Sequence, residues 1–333
     1  MKVVIPLAGL GTRLRPHTHT RPKPLVVVAG KPIIGHILDQ FSGLEVEEYV
    51  FIVGHLGDKI REYIESAHRL PKTSYFEQKE LKGQSHALWL ARERLHGPIL
   101  ITYSDTIAEA DLSGLEELEA DGVFFVKEVE DPRRFGVAEV KDGFVTRIIE
   151  KPPTKENKLA VIGLYYIKNA DWLIRCIEEQ MARNIQLKGE FYLADALQIM
   201  IDQGARFITR PVKVWKDCGK PETLLDTNRY LLEKLGSSYP EQQDSIIIPP
   251  VYIAPSARIT RSIIGPYVSI AERVVVEESI IRDSIINEGA CIERAVLAFS
   301  LIGSEVTYQG AYQQLNVGDS SQVNVGTFEL ESL

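Results

Sequence analysis

Apolar residues fall along this chain in three rhythms. "KVVIPLA" near the start is an unbroken apolar run ended by Gly9, which predicts a strand buried on both faces. Ile33, Ile34, Ile37, Leu38 and Phe41 then recur at helical spacing. "YVFIVG" reads as the next strand, "DKIREYIESA" as a helix, "SYFEQ" as a short strand, "SHALWLARERL" as a helix and "PILITYSD" as another buried strand. This alternation predicts an α/β domain, a Rossmann-like doubly wound sheet flanked by helices. The middle segments "GVFFVKEV", "FGVAEV", "FVTRIIE" and "AVIGLYYI" carry denser strand signals and predict an antiparallel or mixed portion covering one end of the main sheet. "PETLLDTNRYLLEKLG" is a helix with Pro near its start and Gly at its end, as capping chemistry prefers.

The third rhythm follows "SSYPEQQDS", a polar stretch without apolar periodicity that marks the expected boundary between a first domain, 1–236, and a second, 246–333. Ile253, Ile259, Ile264, Ile270, Val276, Ile281, Ile286, Ile292, Leu297 and Ile302 follow one another at intervals of five or six residues. One inward aliphatic per short face is the hexapeptide signature of a left-handed parallel β-helix, in which stacked coils share one core. An ordinary β-sandwich would instead alternate with period two and turn every 8–12 residues or so. "NVGDSSQVNVG" in the tail is compatible with a last degenerate coil.

Composition narrows the class. With 333 residues, 44% hydrophobic and 25% charged, the chain suits about two ordinary globular domains. The balance of 46 acids against 38 Lys and Arg gives a net charge of -8, which argues against a broad nucleic-acid footprint, so any basic site must be local. Cys176, Cys218 and Cys291 are far apart and form no CxxC pair, which fits a reduced, cytoplasmic setting better than a disulfide or zinc framework. The opening run lacks a cleavage site and is followed at once by Arg13 and Arg15, so it reads as a core strand and not a signal peptide. No apolar run approaches the length of a membrane span.

Against that acidic background, the stretch from Pro6 to Pro32 holds Gly9, Gly11 and Gly30, and Arg13, Arg15, Arg21, Lys23 and Lys31, without one acid. A glycine-rich turn leaving a strand lets backbone N–H groups converge on phosphate oxygens, and the basic run points to a polyanion. Gly9 and Gly11 would allow close approach, with Thr12 adding a hydroxyl, Arg13 a fixed charge, and Lys23 reaching the same anion. The turn is neither G-x-G-x-x-G, since Leu14 stands at the third position, nor a P-loop, since G-K-[ST] is missing. A phosphate site calls for a divalent cation, which one or two carboxylates commonly hold. Asp105 ends "PILITYSD" and Asp217 ends "RFITRPVKVWKD", both at expected strand ends, although an aspartate there also serves as a plain turn former.

"AGLGTRLRPHTHTRPKPL", "YSD", "EKP" at Glu150 to Pro152, and "WKDCGKPETL" occur in the order found in the sugar-1-phosphate nucleotidylyltransferases, and the chain resembles that family over its whole first domain. It is most similar to the glucose-1-phosphate thymidylyltransferases of the longer form that ends in a β-helix. The resemblance implies that Leu7, Ala8, Gly9, Gly11, Thr12 and Arg13 hold a nucleoside triphosphate and that Lys23 stabilises charge between phosphates. It implies that Asp105 and Asp217 hold Mg2+, and that Gln78 and Gly83 read the base. Gly136, Glu150, Gly163 and Tyr165 would line the pocket of a sugar 1-phosphate, with Lys151 and Lys188 on its phosphate.

The implied reaction is in-line attack of the sugar phosphate on the α-phosphorus, without a covalent enzyme intermediate. The glycine loop is one residue shorter than A-G-G-x-G-T-R, and "GQSHA" stands where G-T-A or G-T-G is commoner. dTTP with glucose 1-phosphate is the expected pair; UTP with glucose 1-phosphate and GTP with mannose 1-phosphate are the alternatives. Val161 in "AVIGLY" favours a plain hexose over an N-acetylated one. All seven histidines precede the β-helix, which argues against an acyltransferase there and for a scaffold, regulatory or self-association role. A non-catalytic sugar-nucleotide-binding subunit is the alternative of another class, although the charged positions it would lose are all retained. A membrane partner is not expected, and the repeating edges of a β-helix suit a homo-oligomer.

Overall fold

The computed structural model describes residues 1–242 and 244–311. The expected last coil at "NVGDSSQVNVG" lies outside the described residues. The first unit begins with β1 (Lys2–Pro6), the short antiparallel pair β2 (Val27–Val28) and β3 (Lys31–Pro32), and α1 (Ile33–Asp39). It continues through β4 (Glu48–Val53), α2 (Gly57–Ala67), β5 (Thr73–Glu77), α3 (Gln84–Leu90), β6 (Ile99–Thr102) and β7 (Thr106–Glu109). Four strands then run almost without interruption: β8 (Gly122–Glu128), β9 (Gly136–Lys141), β10 (Phe144–Glu150) and β11 (Leu159–Ile167). α4 (Ala170–Ala182), α5 (Leu193–Asp202), β12 (Phe207–Pro211), β13 (Val214–Asp217) and α6 (Pro221–Leu235) complete it.

Nine strands form one mixed sheet whose main path runs β10-β9-β11-β6-β1-β4-β5. β1 lies parallel to both β4 and β6, with Val4 opposite Val50 on one side and Ile101 on the other. The apolar runs behave as their lack of alternation predicts. Val3 and Ile5 of β1 enter one core with Tyr49, Phe51 and Leu100, while Val4 enters the opposite core with Val50, Ile52, Ile99 and Ile101. The strand-rich middle does not cover the sheet's end. It continues the sheet, because β11 pairs antiparallel with β6 and carries β8 and β9 with it.

Two expected elements divide. "SHALWLARERL" is helical only to Leu90, followed by a separate short turn of 3-10 helix at Arg92–Arg94. "RFITRPVKVWKD" is not one strand. Proline has no N–H to give a ladder, and β12 ends at Pro211 against Val126. The chain then leaves the sheet and pairs β13 antiparallel with β7 in a separate two-stranded ribbon. Asp217 therefore sits on that ribbon, and Asp105 lies just past β6 and not within it.

From Ile246 onward the chain winds into stacked coils whose short parallel strands build three sheets, a β-helix. Ile247 pairs with Ile264, Ile264 with Ile281 and Ile281 with Leu297, one column of a dry interior. The residues before three of these stand outside: Ile246, Ile280 and Val296 are 59%, 45% and 81% exposed. Turns between coils use left-handed residues such as Arg261, Tyr267, Glu278 and Asp283. Serines cap the corners: Ser262 Oγ accepts from the Ser279 N–H at 3.0 Å, and Ser279 Oγ from the Ala295 N–H at 3.0 Å.

Removing side-chain volume from the inward column leaves a cavity that parallel strands above and below cannot close. Ile281→Ala is expected to destabilise the β-helix by about 2–4 kcal/mol, and the neighbouring Ile280→Ala by no more than about 0.5 kcal/mol. Denaturant titration followed by circular dichroism measures both. Equal losses would contradict the inward and outward assignment.

Candidate functional site

The glycine turn leaves β1 with its side chains divided between core and cleft. Leu7 points into the core, 2% exposed, and its N–H donates to the Ile52 carbonyl at 2.7 Å. Ala8, Gly9, Gly11, Thr12 and Arg13 line a cavity of about 590 Å³. Gly9 has no atom within 4 Å of where a Cβ would stand, so its face is open to the cavity. Gly11 is constrained instead: its φ is +61°, and a Cβ there would lie 2.9 Å from the Cβ of Lys23. The Gly11 carbonyl accepts from the Leu14 N–H at 3.0 Å and the Thr18 hydroxyl at 2.8 Å, which fixes the turn.

That close approach brings Lys23, 7% exposed, against Asp105, with Nζ 2.6 Å from Oδ2. Arg13 approaches the same oxygen at 3.9 Å. Burial pushes the Asp105 carboxyl up, but the Lys23 ammonium, its hydrogen bond and the Arg13 guanidinium outweigh this and hold it below the ordinary aspartate range. Asp217 arrives on the ribbon, opposite Thr106 in register, and the Cys218 N–H donates to the Asp105 carbonyl at 2.9 Å. Burial and the negative charge of Asp105 push the Asp217 carboxyl up. Gly219 belongs to the same knot, since a Cβ there would stand 2.7 Å from Asp217 Oδ1 and 2.8 Å from Arg13 Nη2.

Two carboxylates that repel one another beside a phosphate-sized opening suit a hard divalent cation, with phosphate and water completing its shell. No group of three or more His, Cys, Asp or Glu ligands occurs among the described residues. A pair of aspartates fits Mg2+ better than it fits a metal caged wholly by protein.

At the far end of this cavity, Gln78 is 5% exposed. Its Nε2 donates to the Gly83 carbonyl at 3.0 Å and lies 3.1 Å from His86 Nδ1. Gly83, at φ +95°, presses on the backbone of Phe191, where a Cβ would meet the carbonyl oxygen at 2.5 Å.

A second cavity, about 420 Å³, opens on the other side of Asp105 and holds Gly136, Glu150, Gly163, Tyr165 and Asp217. The register of β11 breaks between Val161 and Tyr165. On one edge Ala160 and Val161 pair with β9, whereas Leu164 to Ile167 pair with β6. Gly163 stands in that fork at φ +80°, where a Cβ would lie 2.5 Å from the Tyr103 ring. Glu150 lies opposite Gly136 in register, and burial pushes its carboxyl up against the opposing pull of Lys151. Lys151 Nζ donates to the Tyr192 hydroxyl at 2.9 Å and lies 3.6 Å from Glu150 Oε1.

The structure does not bring Lys188 to either cavity. It is exposed at the tip of the turn closed by the Leu187–Glu190 bridge, and Glu190 and Tyr192 line the cleft in its place. Nor does the basic run act as one patch. Lys31 pairs with Asp39, and Arg21 turns away to the β-helix, leaving Arg13 and Lys23 at the cleft. The sequence reading missed Tyr103, Gln84, Trp215, Lys220 and Tyr192 as lining residues. "YSD" and "WKDCGK" carried Tyr103, Trp215 and Lys220 beside residues already singled out, but Gln84 and Tyr192 had no local signal.

Among families, the model for nucleotidyl transferase matches residues 2–234. A glucose-1-phosphate thymidylyltransferase of Streptomyces griseus is 30% identical, covering 98% of this chain and 100% of the relative. A UTP–glucose-1-phosphate uridylyltransferase of Haloferax volcanii, AglF, is 31% identical over 70% of this chain and 98% of its own. A crystal structure of UDP-glucose pyrophosphorylase complexed with UDP-glucose superposes with a TM-score of 0.60 at 22% identity, covering 70% of this chain and 98% of that one; it speaks for the fold alone. With a family match that spans the sheet carrying the glycine turn, the two aspartates and both cavities, this chain belongs to the nucleotidyl transferase family.

Proposed function

We propose that residues 1–236 transfer a thymidylyl group from dTTP to glucose 1-phosphate, giving the nucleotide sugar and pyrophosphate. One observation carries this reading: the two cavities share Arg13, Gln84, Tyr103, Asp105 and Glu150, so ligands in them would meet at the Asp105 carboxylate. The first cavity has the glycine turn for a triphosphate and Gln78 for a base. With Nε2 committed to Gly83, Gln78 keeps its Oε1 as an acceptor for a ring N–H, which both thymine and uracil offer. The preference for dTTP over UTP rests on the similarity over nearly the full chain to the thymidylyltransferase relative.

The sugar 1-phosphate already carries its nucleophile, so no general base is required, and the chain's task is alignment and charge neutralisation. Asp105 and Asp217 would hold Mg2+, which would supply Lewis-acid polarisation of phosphate oxygens. Lys23 holds the Asp105 carboxylate in the free chain and turns toward phosphate oxygens when the triphosphate arrives. Arg13 stands over the same phosphates from the turn. Lys151, oriented by Tyr192, meets the sugar phosphate, and Glu150 accepts from sugar hydroxyls. Gly163 leaves room for the Tyr103 ring and Gly136 for the Glu150 carboxylate, both of which wall that pocket. A reducing compartment such as the cytoplasm suits the three free cysteines.

Pyrophosphate release assayed with four triphosphates against glucose, mannose and N-acetylglucosamine 1-phosphates tests this directly. dTTP with glucose 1-phosphate should turn over fastest, and chelation of Mg2+ should abolish turnover. Faster turnover of UTP or GTP pairs would reassign the base. Silence from every pair would put a sugar-nucleotide-binding regulatory subunit in its place.

Lys23→Ala is expected to lower kcat by about 100-fold or more with a smaller change in KM. Steady-state kinetics on the fastest pair would separate the two effects, and a loss confined to KM would remove Lys23 from the chemistry.

Glu150 gives a pH test. Its raised pKa means that it protonates at a higher pH than an ordinary glutamate, about 4.3. As pH falls toward that raised pKa, the KM for the sugar phosphate should climb as the accepting carboxylate is lost. Glu150→Gln should have a KM that is high and flat across the same range.

A further inference from the structure

The segment carrying Lys23 has little regular structure, yet it sets an ammonium 2.6 Å from a carboxylate. Its inner side is fixed by core residues Leu14, Val26 and Val28. Its outer side leans on the β-helix at two points that bracket Lys23. Before it, Arg21 Nη1 donates to Asn287 Oδ1 at 3.4 Å and Nη2 to Ser304 Oγ at 3.1 Å, with Glu288 3.7 Å away. Asn287 is itself oriented, since its Nδ2 donates to the Ile302 carbonyl at 2.7 Å and leaves Oδ1 for Arg21. Beyond Lys23, the link runs through α6: the Ala29 N–H donates at 2.9 Å to Oδ1 of its Asn228, 1% exposed, which also accepts from Ser269 Oγ of the β-helix at 2.6 Å. Gly30 packs beneath Tyr252, whose ring would stand 2.5 Å from a Cβ there.

The second carboxylate arm leans the same way. α6 begins just past Asp217 and Gly219, and its Asn228 Nδ2 donates to the Tyr267 carbonyl at 3.2 Å. Arg229 Nε donates to Asp283 Oδ1 at 2.6 Å. One wall of the β-helix therefore backs both the lysine segment and the helix that follows the ribbon aspartate.

We infer that the β-helix is the outer support of the nucleotide site, and that Arg21 is a positioning residue that holds Lys23 at its working place through Asn287 and Ser304. The inference rests on the reading of Lys23 as the phosphate-facing cation. Long, half-exposed bonds of the Arg21 kind contribute little to stability. Misplacing a reacting group by about 1 Å, however, costs up to about 100-fold in rate. Arg21 thus matters for where Lys23 stands more than for whether the chain folds.

The test compares full-length wild type with Arg21→Ala, Arg21→Lys, Lys23→Ala and the Arg21→Ala/Lys23→Ala double variant. Arg21→Ala should lower kcat about 10-fold, with KM for the triphosphate nearly unchanged and Tm within about 2 °C. Arg21→Lys should recover part of the rate. If Arg21 acts through Lys23, the double variant is no slower than Lys23→Ala alone. Losses that multiply in the double variant, or an unchanged kcat in Arg21→Ala, would overturn the inference.

A second readout needs no turnover: the rate at which acetic anhydride acylates Lys23 in the substrate-free chain, followed by mass spectrometry. Faster acylation in Arg21→Ala supports the support role, and an identical rate refutes it. An inactive wild type would sink the functional reading while leaving this comparison standing.

Discussion

An ammonium nearly withdrawn from water needs a counter-charge, and much of the first unit is arranged around that need. Lys23 is 7% exposed and has Asp105 as its ion-pair partner. Removing the carboxylate partner of a buried ammonium commonly costs about 3–5 kcal/mol, because the charge is left uncompensated. The requirement explains features that look unrelated. Gly11 has no side chain because the Lys23 stem passes where one would be. The Cys218 N–H reaches back to the Asp105 carbonyl, which ties the β7–β13 ribbon to the turn after β6. Gly219 lets Arg13 and Asp217 approach one another, since a Cβ there would press on both side chains. The free chain thus keeps its own counter-charges together at the place where a polyanion and a divalent cation would enter.

The second cavity has a different origin, in a strand that cannot serve two neighbours at once. β11 gives its early residues to β9 and its late ones to β6, and the ladder parts at Gly163. A parted sheet exposes backbone and leaves a hollow. Here the hollow is walled by aromatic rings, with Tyr103 against Tyr165 edge-on at 6.2 Å and Phe135 against Trp215 at 4.7 Å. Glu150, the last residue of β10, brings a carboxylate to this hollow from across β9, and Lys151 just after it lines the adjoining cavity.

Much of this was legible because it is local. Runs without alternation reported strands buried on both sides, and Ile247, Ile264 and Ile281 reported a stack because each coil repeats the demand of the last. The glycine turn was legible for the same reason: its chemistry lies within six residues of sequence. What escaped depends on pairing at a distance. Nothing within "VKVWKD" says that it leaves the main sheet, because its partner β7 lies a hundred residues earlier in order of magnitude. Arg21 read as one more phosphate-facing charge because its partners Asn287 and Ser304 belong to another unit. Lys188 is implied as a ligand by the family resemblance alone, whereas Glu190 and Tyr192, beyond the turn it occupies, line the cleft. Composition gives charge, but only the fold gives its direction.

The stacked coils meet the first unit through particular rungs: Tyr252 on the first, Tyr267 and Ser269 on the next, Asp283 and Asn287 on the third, and Ser304 on the fourth. A helix of coils changes length only in whole turns, since any other insertion would rotate inward residues to the outside. Deleting one whole turn inside the stack would keep the dry interior continuous, yet it would bring each later rung one step closer to α6 and set the wrong residue opposite Arg229 or Arg21. The number of coils beside the first unit is therefore held fixed as an integer by the residues that meet Arg21, Asn228 and Arg229.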